Sequence, residues 1–121
     1  MSPDKINLAD KLSLFSETWT PKIIGNMDDY DLRLAKLEGD FVWHAHDHED
    51  ELFLILEGRL RMDFRDKQVF LEQGEMIVVP KGVEHKPCAE GPCSVLVIEK
   101  SSVDHTGGVD DPRRVANPDR I

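Results

Sequence analysis

The stretch that decides how this chain folds runs His44-Ala45-His46-Asp47-His48-Glu49-Asp50-Glu51-Leu52-Phe53-Leu54-Ile55-Leu56-Glu57-Gly58. Its two halves have different characters. Phe41 to His46 reads as a strand, and strand side chains point to opposite faces in turn. His44 and His46 therefore share a face, with Trp43 and Ala45 on the other. Two imidazoles on one face can chelate a single divalent ion. The second half, Glu51 to Gly58, reads as a buried strand that stops at a glycine. Glu51 has the parity of Phe53 and Ile55, so its carboxylate can face an interior. His48 has the parity of the other two histidines, but the extended run ends near Asp47, which favours a rim role or one supporting a ligand over the alternative that His48 is itself a ligand. Asp47, Glu49 and Asp50 read as a solvated acidic loop.

Outward from this stretch the chain is mostly short strands and turns. Residues 59–66 alternate most cleanly, with Leu60, Met62 and Phe64 against Arg59, Arg61, Asp63 and Arg65. Residues 68–74 follow a tight Asp66-Lys67 turn. Residues 75–82 end at Pro80 and Gly82, and Pro80 cannot donate to a ladder. Residues 83–88 read as short and polar, and 94–100 as the last strand. Upstream, Tyr30–Gly39 sets Leu32 and Leu34 on one face. Residues 7–15 have a helical period, with Asn7 as N-cap and Leu8, Leu12 and Phe15 on one side. Many short strands with turn signals between them define an all-β class. The inward apolar set reads as Phe53, Ile55, Leu60, Met62, Phe64, Ile77, Val79 and Leu96. Trp19 and Trp43 read as packing or interface residues.

The chain has 121 residues and a formal net charge of −9, which suits a single domain. That charge repels phosphate backbones and anionic lipid, so neither nucleic acid nor a membrane is an expected partner. The N-terminal residues lack the apolar core of a secretion signal, and the expected location is cytoplasmic. Thiols stay reduced there. Cys88 and Cys93 flank Ala89-Glu90-Gly91-Pro92, which reads as a hairpin loop where a cross-strand disulfide is geometrically possible. His105 lies beside Gly107-Gly108 in a tail with few apolar residues, and is expected to be exposed.

At this point the chain resembles a known family, the cupins. Gly39, His44-x-His46, Glu51 after a gap of four and Gly58 after a gap of six follow their first motif. Gly74, Pro80-x-Gly82 and His85 follow their second. Two positions depart: four residues separate Gly39 from His44 where the pattern has five, and Ala89 stands in place of a terminal Asn. Neither is a metal ligand in the family. The resemblance, over about residues 30–100, implies a single-domain jelly-roll β-barrel with a short N-terminal helix. The divisions expected are 1–28 as helix and arm, 29–103 as barrel and 104–121 as irregular tail. It implies one metal held by His44, His46, Glu51 and His85, with one or two positions left open. Such a nitrogen and oxygen donor set suits Mn, Fe, Co, Ni, Cu or Zn rather than Ca or Mg.

Similar proteins include sugar isomerases, such as those acting on mannose 6-phosphate, dioxygenases and lyases. The expected ligand is a small oxygenated or carbohydrate-like molecule. Enzyme and non-catalytic metal-bearing binding module share the quartet, whereas a bare scaffold would not need it. The acid–base candidates beyond the quartet are His48, Glu49 and Glu84. Small cupins commonly dimerise, and residues 19–24, an apolar stretch with no evident place in a barrel, make a homodimer the expected assembly.

Overall fold

In the computed structural model, residues 3–121 are described. Met1 and Ser2, part of the expected N-terminal arm, lie outside them. Seven strands and one short helix occur among the described residues: α1 (Leu8–Leu12), β1 (Lys22–Met27), β2 (Tyr30–Asp40), β3 (Glu51–Glu57), β4 (Leu60–Phe64), β5 (Gln68–Leu71), β6 (Met76–Val79) and β7 (His85–Lys100). All strand pairs are antiparallel, in the order β1-β2-β7-β3-β6, with β4 joined to β7 and β5. No helix of the described residues is long and apolar enough to cross a membrane.

β7 is the spine. Its first residues, His85–Cys88, pair with β4, and its later ones, from Ser94 to Ile98, pair with β3. β2 runs along its other edge for nearly its full length. One strand thus belongs to both halves of the barrel and carries the chain around its curve. The bend falls where Leu37 pairs with Cys93 but Gly39 pairs with Ala89, leaving extra β7 residues unmatched. Bulges of this kind turn a strand. The sequence expectation of a hairpin loop at Ala89–Pro92 is therefore corrected. These residues are a bulge inside one strand, and Cys88 and Cys93 are buried free thiols on that strand. Residues 83–88, expected to stand apart, enter the same strand from His85.

The segment 41–46, expected to be a strand, is extended but carries only an isolated bridge between His44 and His85. His44 and His85 exchange both backbone hydrogen bonds, at 3.0 and 2.9 Å, and the Phe41 N–H donates to the Pro87 carbonyl. Pro87 has no N–H to return, so the ladder stops there.

Inward residues of β3, β4 and β7 form the barrel core: Phe53, Ile55, Leu60, Met62, Val95 and Val97, closed by Val79 and Leu71. Phe64 and Ile77 pack against it. Leu96 is corrected: it faces outward, in a second cluster with Leu12, Phe15, Ile24 and Leu34 beneath α1. Asn7 caps α1 as expected, its Oδ1 accepting from Asp10 N–H. The helix stops at Leu12, where Ser13 caps it, rather than reaching Phe15.

Residues 19–24 do have a place in the barrel. Trp19 is buried, stacks on Phe41 at 4.5 Å and donates its indole N–H to the Glu38 carbonyl. Lys22 to Met27 then pair with β2 as β1. The apolar stretch on which the homodimer expectation rested is thus covered within the chain. Residues 104–121 form turns rather than strands, yet they are tied down. Ile23 N–H donates to Asp119 O, and Ile121 N–H returns to Ile23 O.

Gly58 closes the turn between β3 and β4 at φ +82°, and a Cβ there would lie 2.4 Å from the Pro92 carbonyl oxygen. Gly74 has φ +84° with nothing near. Gly58→Ala should therefore cost about 3 kcal/mol, from backbone strain plus the clash with the bulge. Gly74→Ala should cost only about 1–2 kcal/mol, from backbone strain alone. Urea denaturation midpoints at unchanged slope measure both.

Candidate metal centre

Four expected side chains meet inside the barrel near one mouth. His44 sits on the bridged segment, Glu51 opens β3 opposite Val79, and His85 opens β7 opposite Phe64. His46 follows His44 by one strand repeat. Each offers a donor atom, and the four donors lie within 4.8 Å of one another. All four residues are buried, His85 completely. The second-motif turn is fastened to the first-motif loop at two points. Gly82 N–H donates to the His46 carbonyl at 2.9 Å, and Lys81 N–H to Asp50 Oδ1 at 2.9 Å. Asp50, expected to be solvated loop, is exposed but holds this turn.

The backbone orients the rings. His44 Nδ1 donates to Val42 O at 2.9 Å. His85 Nδ1 donates to Val83 O at 3.0 Å. A carbonyl accepts only, so Nδ1 carries the proton in each ring and Nε2 is left as a lone pair. Both Nε2 of His46 and Nε2 of His85 point at Glu51 Oε1, at 3.2 and 3.3 Å. These three atoms are shielded from solvent and none makes a well-formed hydrogen bond. Buried polar atoms without partners each cost about 1–3 kcal/mol. A divalent cation between them would satisfy all three, so the donor set fits a metal.

The charges agree. Burial, with His85 beside it, pushes His44 down to about 4, which keeps its ring neutral and able to donate a lone pair. Burial also works against protonation of His46, but the Glu51 carboxylate outweighs it and raises that ring. Burial opposes ionisation of Glu51, yet Glu99, His46 and His85 hold it well below the usual carboxylate range. Glu99 is driven well above that range by burial and by the charge of Glu51. One carboxylate is thus ionised and its neighbour protonated, since two buried like charges do not both form.

Glu99 belongs to a polar chain that the sequence reading missed. Arg33 is buried and donates to Glu99 Oε1 at 2.8 Å and, through two nitrogens, to Asp31 Oδ2. Asp31 also accepts from Asn26 and Ser101. Alternation held the signal. Asp31 and Arg33 have the parity of Ala35 and Leu37, and Glu99 that of Val95 and Val97. Leu32 and Leu34 are apolar because they lie under α1, so both faces of β2 are buried.

The other candidates fall elsewhere. His48 is exposed, and Glu49 lies in the loop without joining the cluster. Glu84 pairs with Arg65 at the surface. Trp43 lies under the Arg65 guanidinium at 3.9 Å. His105 is corrected: it is half-buried in the wall of a cavity of ≈ 40 Å³ lined by Trp19, Leu37, Phe41, Phe53 and Val97, with His44, Glu51 and Glu99 at the metal end.

A family model described as the cupin domain matches residues 31–99, more than half of the chain. The chain belongs to the cupin family. It is 50% identical to a cupin-2 domain protein of Shewanella frigidimarina NCIMB 400, over 78% of this chain and 93% of that one, with a TM-score of 0.78. It is 40% identical to protein NMB1881 of Neisseria meningitidis, over 81% of this chain and the whole of that one, with a TM-score of 0.75. Among curated proteins it is 41% identical to the uncharacterized protein YdbB of Bacillus subtilis (strain 168) over 64 residues, which are 52% of this chain. The match spans 57% of that relative's length.

Arg33→Met would leave the ionised Asp31 buried without its cation and Glu99 without its hydrogen-bond donor. In metal-free protein it should cost about 3–5 kcal/mol of unfolding free energy. Replacing Asp31, Arg33 and Glu99 together by Leu, Met and Leu should recover most of that loss, as read by guanidinium denaturation.

Proposed function

We propose that this cupin binds one divalent transition metal through His44 Nε2, His46 Nε2, Glu51 Oε1 and His85 Nε2, and acts on a small oxygenated molecule held beside it. The observation that carries the reading is the convergence of buried donor atoms that find no partner in the protein. Bound there, a metal of the Mn to Zn series would polarise an oxygen of the ligand and offer it a coordination position. The chain's own groups have separate tasks. The Val42 and Val83 carbonyls fix the tautomers of His44 and His85. Glu51 supplies the negative charge. Neutral Glu99, backed by Arg33, keeps a second buried carboxylate from competing with it.

The cavity walls select among ligands. Trp19, Leu37, Phe41, Phe53 and Val97 offer few hydrogen-bonding groups. A carbohydrate would lose hydrogen bonds to water there without replacement. A molecule with an apolar body and one or two oxygens would not. The same walls favour a metal-dependent dioxygenase as the second reading, because dioxygen and an aromatic or keto substrate both suit an apolar chamber.

Metal analysis after reconstitution tests the quartet. The wild type should hold about one equivalent of Mn, Fe, Co, Ni, Cu or Zn and gain thermal stability with it, because an ion that binds only the folded form raises its stability. His46→Ala should lose at least about nine-tenths of the bound ion, and His48→Ala should keep it. Equal retention in the two variants would overturn the assignment. Oxygen uptake by the iron-loaded protein with phenolic or keto-acid substrates separates the dioxygenase from a binding module.

A further inference from the structure

Strand pairing sets the outward side chains of β2, β7, β3 and β6 in rows across the sheet. Leu34, Leu96, Leu54 and Met76 stand opposite one another in one row. Leu32, Ile98, Leu52 and Val78 make the next. Neither row holds a charged or hydrogen-bonding side chain. An antiparallel sheet with one solvated face alternates apolar with polar residues. Here the outward positions are as apolar as the inward ones.

Cover runs out along these rows. α1 lies over the β2 end, where Leu34 is fully buried with Leu12 and Phe15. Leu96 and Leu54 are half-buried. At the β6 end, Met76 is 62% exposed and Val78 49%. β6 is also the last strand of its sheet and pairs with β3 alone. Its residues, Met76–Val79, include no charge and no proline. Native proteins guard free edges with such residues. The exterior of the other half-barrel is built differently. There Arg61 pairs with Asp63, Lys86 lies near Asp40, and Arg59 pairs with Glu72 while stacking on Phe70.

Charge and shape name the occupant of the apolar face. The chain carries a net charge of −9. A basic partner is drawn to carboxylates, and none stands in these rows. Two copies of the chain repel wherever carboxylates oppose each other, and on this face they do not. A face made of aliphatic side chains alone is matched by a copy of itself, as a two-fold interface requires. Antiparallel sheets stack face to face about 10 Å apart with their strands roughly aligned.

We infer that two copies of this chain dimerise back to back through the outer face of β7, β3 and β6, so that Leu52, Leu54, Met76, Val78 and Ile98 of the two copies pack on one another. The surface is not the 19–24 stretch, which the barrel already covers. It lies on the back of the strands that carry Glu51 and Glu99, and it does not depend on the metal reading. The uncovered strip is three strands wide, about 14 Å at a spacing of about 4.8 Å. That is the small end of specific interfaces, about 1,200 Å² over both copies, and it sets the expected dissociation constant in the micromolar range.

Sedimentation of the full chain over about 1–200 µM tests the inference. The wild type should move from the 13.8 kDa of one chain toward twice that mass. Salt at about 1 M should leave it associated, because screening relieves the repulsion between acidic copies and leaves apolar contact intact. Met76→Glu combined with Val78→Glu should raise the dissociation constant at least about a hundredfold, since the dimer would bury unpaired carboxylates. Both positions are exposed in the single chain, so circular dichroism and melting should change little. Should that variant fail to fold, Met76→Gln combined with Val78→Thr, which keeps side-chain size, should still weaken association about tenfold. Phe70→Glu, exposed on the other exterior, should dimerise as the wild type does. A wild type that stays at the mass of one chain throughout overturns the inference and leaves the face to a different protein. A folded double variant that dimerises normally overturns it, because the dimer then uses another surface. Dissociation by salt, or equal weakening by Phe70→Glu, overturns it as well.

Discussion

The two backbone hydrogen bonds exchanged by His44 and His85 set the relation between residues forty-one positions apart. They place the start of β7 against the middle of the first motif and so bring two imidazoles to one spot. The register of everything nearby depends on this bridge. A slip of one residue would turn His85 outward and Lys86 or Glu84 inward, since strand side chains alternate strictly. Pro87, two residues on, has no N–H to return to the first-motif segment, and the Val42 carbonyl accepts from the His44 ring.

Electrostatics inside the barrel follow from that convergence. Three imidazoles and a carboxylate in an apolar chamber are costly to bury unless each finds a partner. The chain supplies part of the answer through Arg33, which compensates Asp31 and supports Glu99. Glu99 stays neutral beside Glu51. What the protein leaves uncompensated is the set of nitrogens and the carboxylate oxygen aimed at a common point. Those inner donors lie beside Glu99 Oε2, also buried without a partner, and their convergence is what the proposed metal site rests on.

Much of this is legible in the amino-acid sequence. The alternation of Leu60, Met62 and Phe64, and of Glu51, Phe53 and Ile55, reports one buried face and survives in the barrel. Asn7 announced a helix start. Reading failed where two faces of a strand are both buried. Leu96 and Leu34 are apolar because α1 covers the outside of the barrel, and no local pattern says which apolar face is inner. The same ambiguity hid Asp31, Arg33 and Glu99, whose charges cancel only across strands far apart in sequence. Glycine and proline at 89–92 suggested a turn, yet the chain absorbs them as a bulge because β2 pairs with the strand before and after it, while β4 gives way to β3 on the other edge.

The sequence by itself determined the all-β class, the identity and spacing of His44, His46, Glu51 and His85, and the parity that puts the first three on inward faces. Those are local properties, set by side-chain alternation and by where glycine and proline interrupt it. Only the tertiary structure decided that His85 reaches the others, that Trp19 enters the core, and that His105 returns from the far end of the chain to wall the cavity. Each of these depends on long-range strand register and on the packing of a segment with no periodicity of its own. Contacts of that kind leave no local signature, because the partners that stabilise them lie tens of residues away.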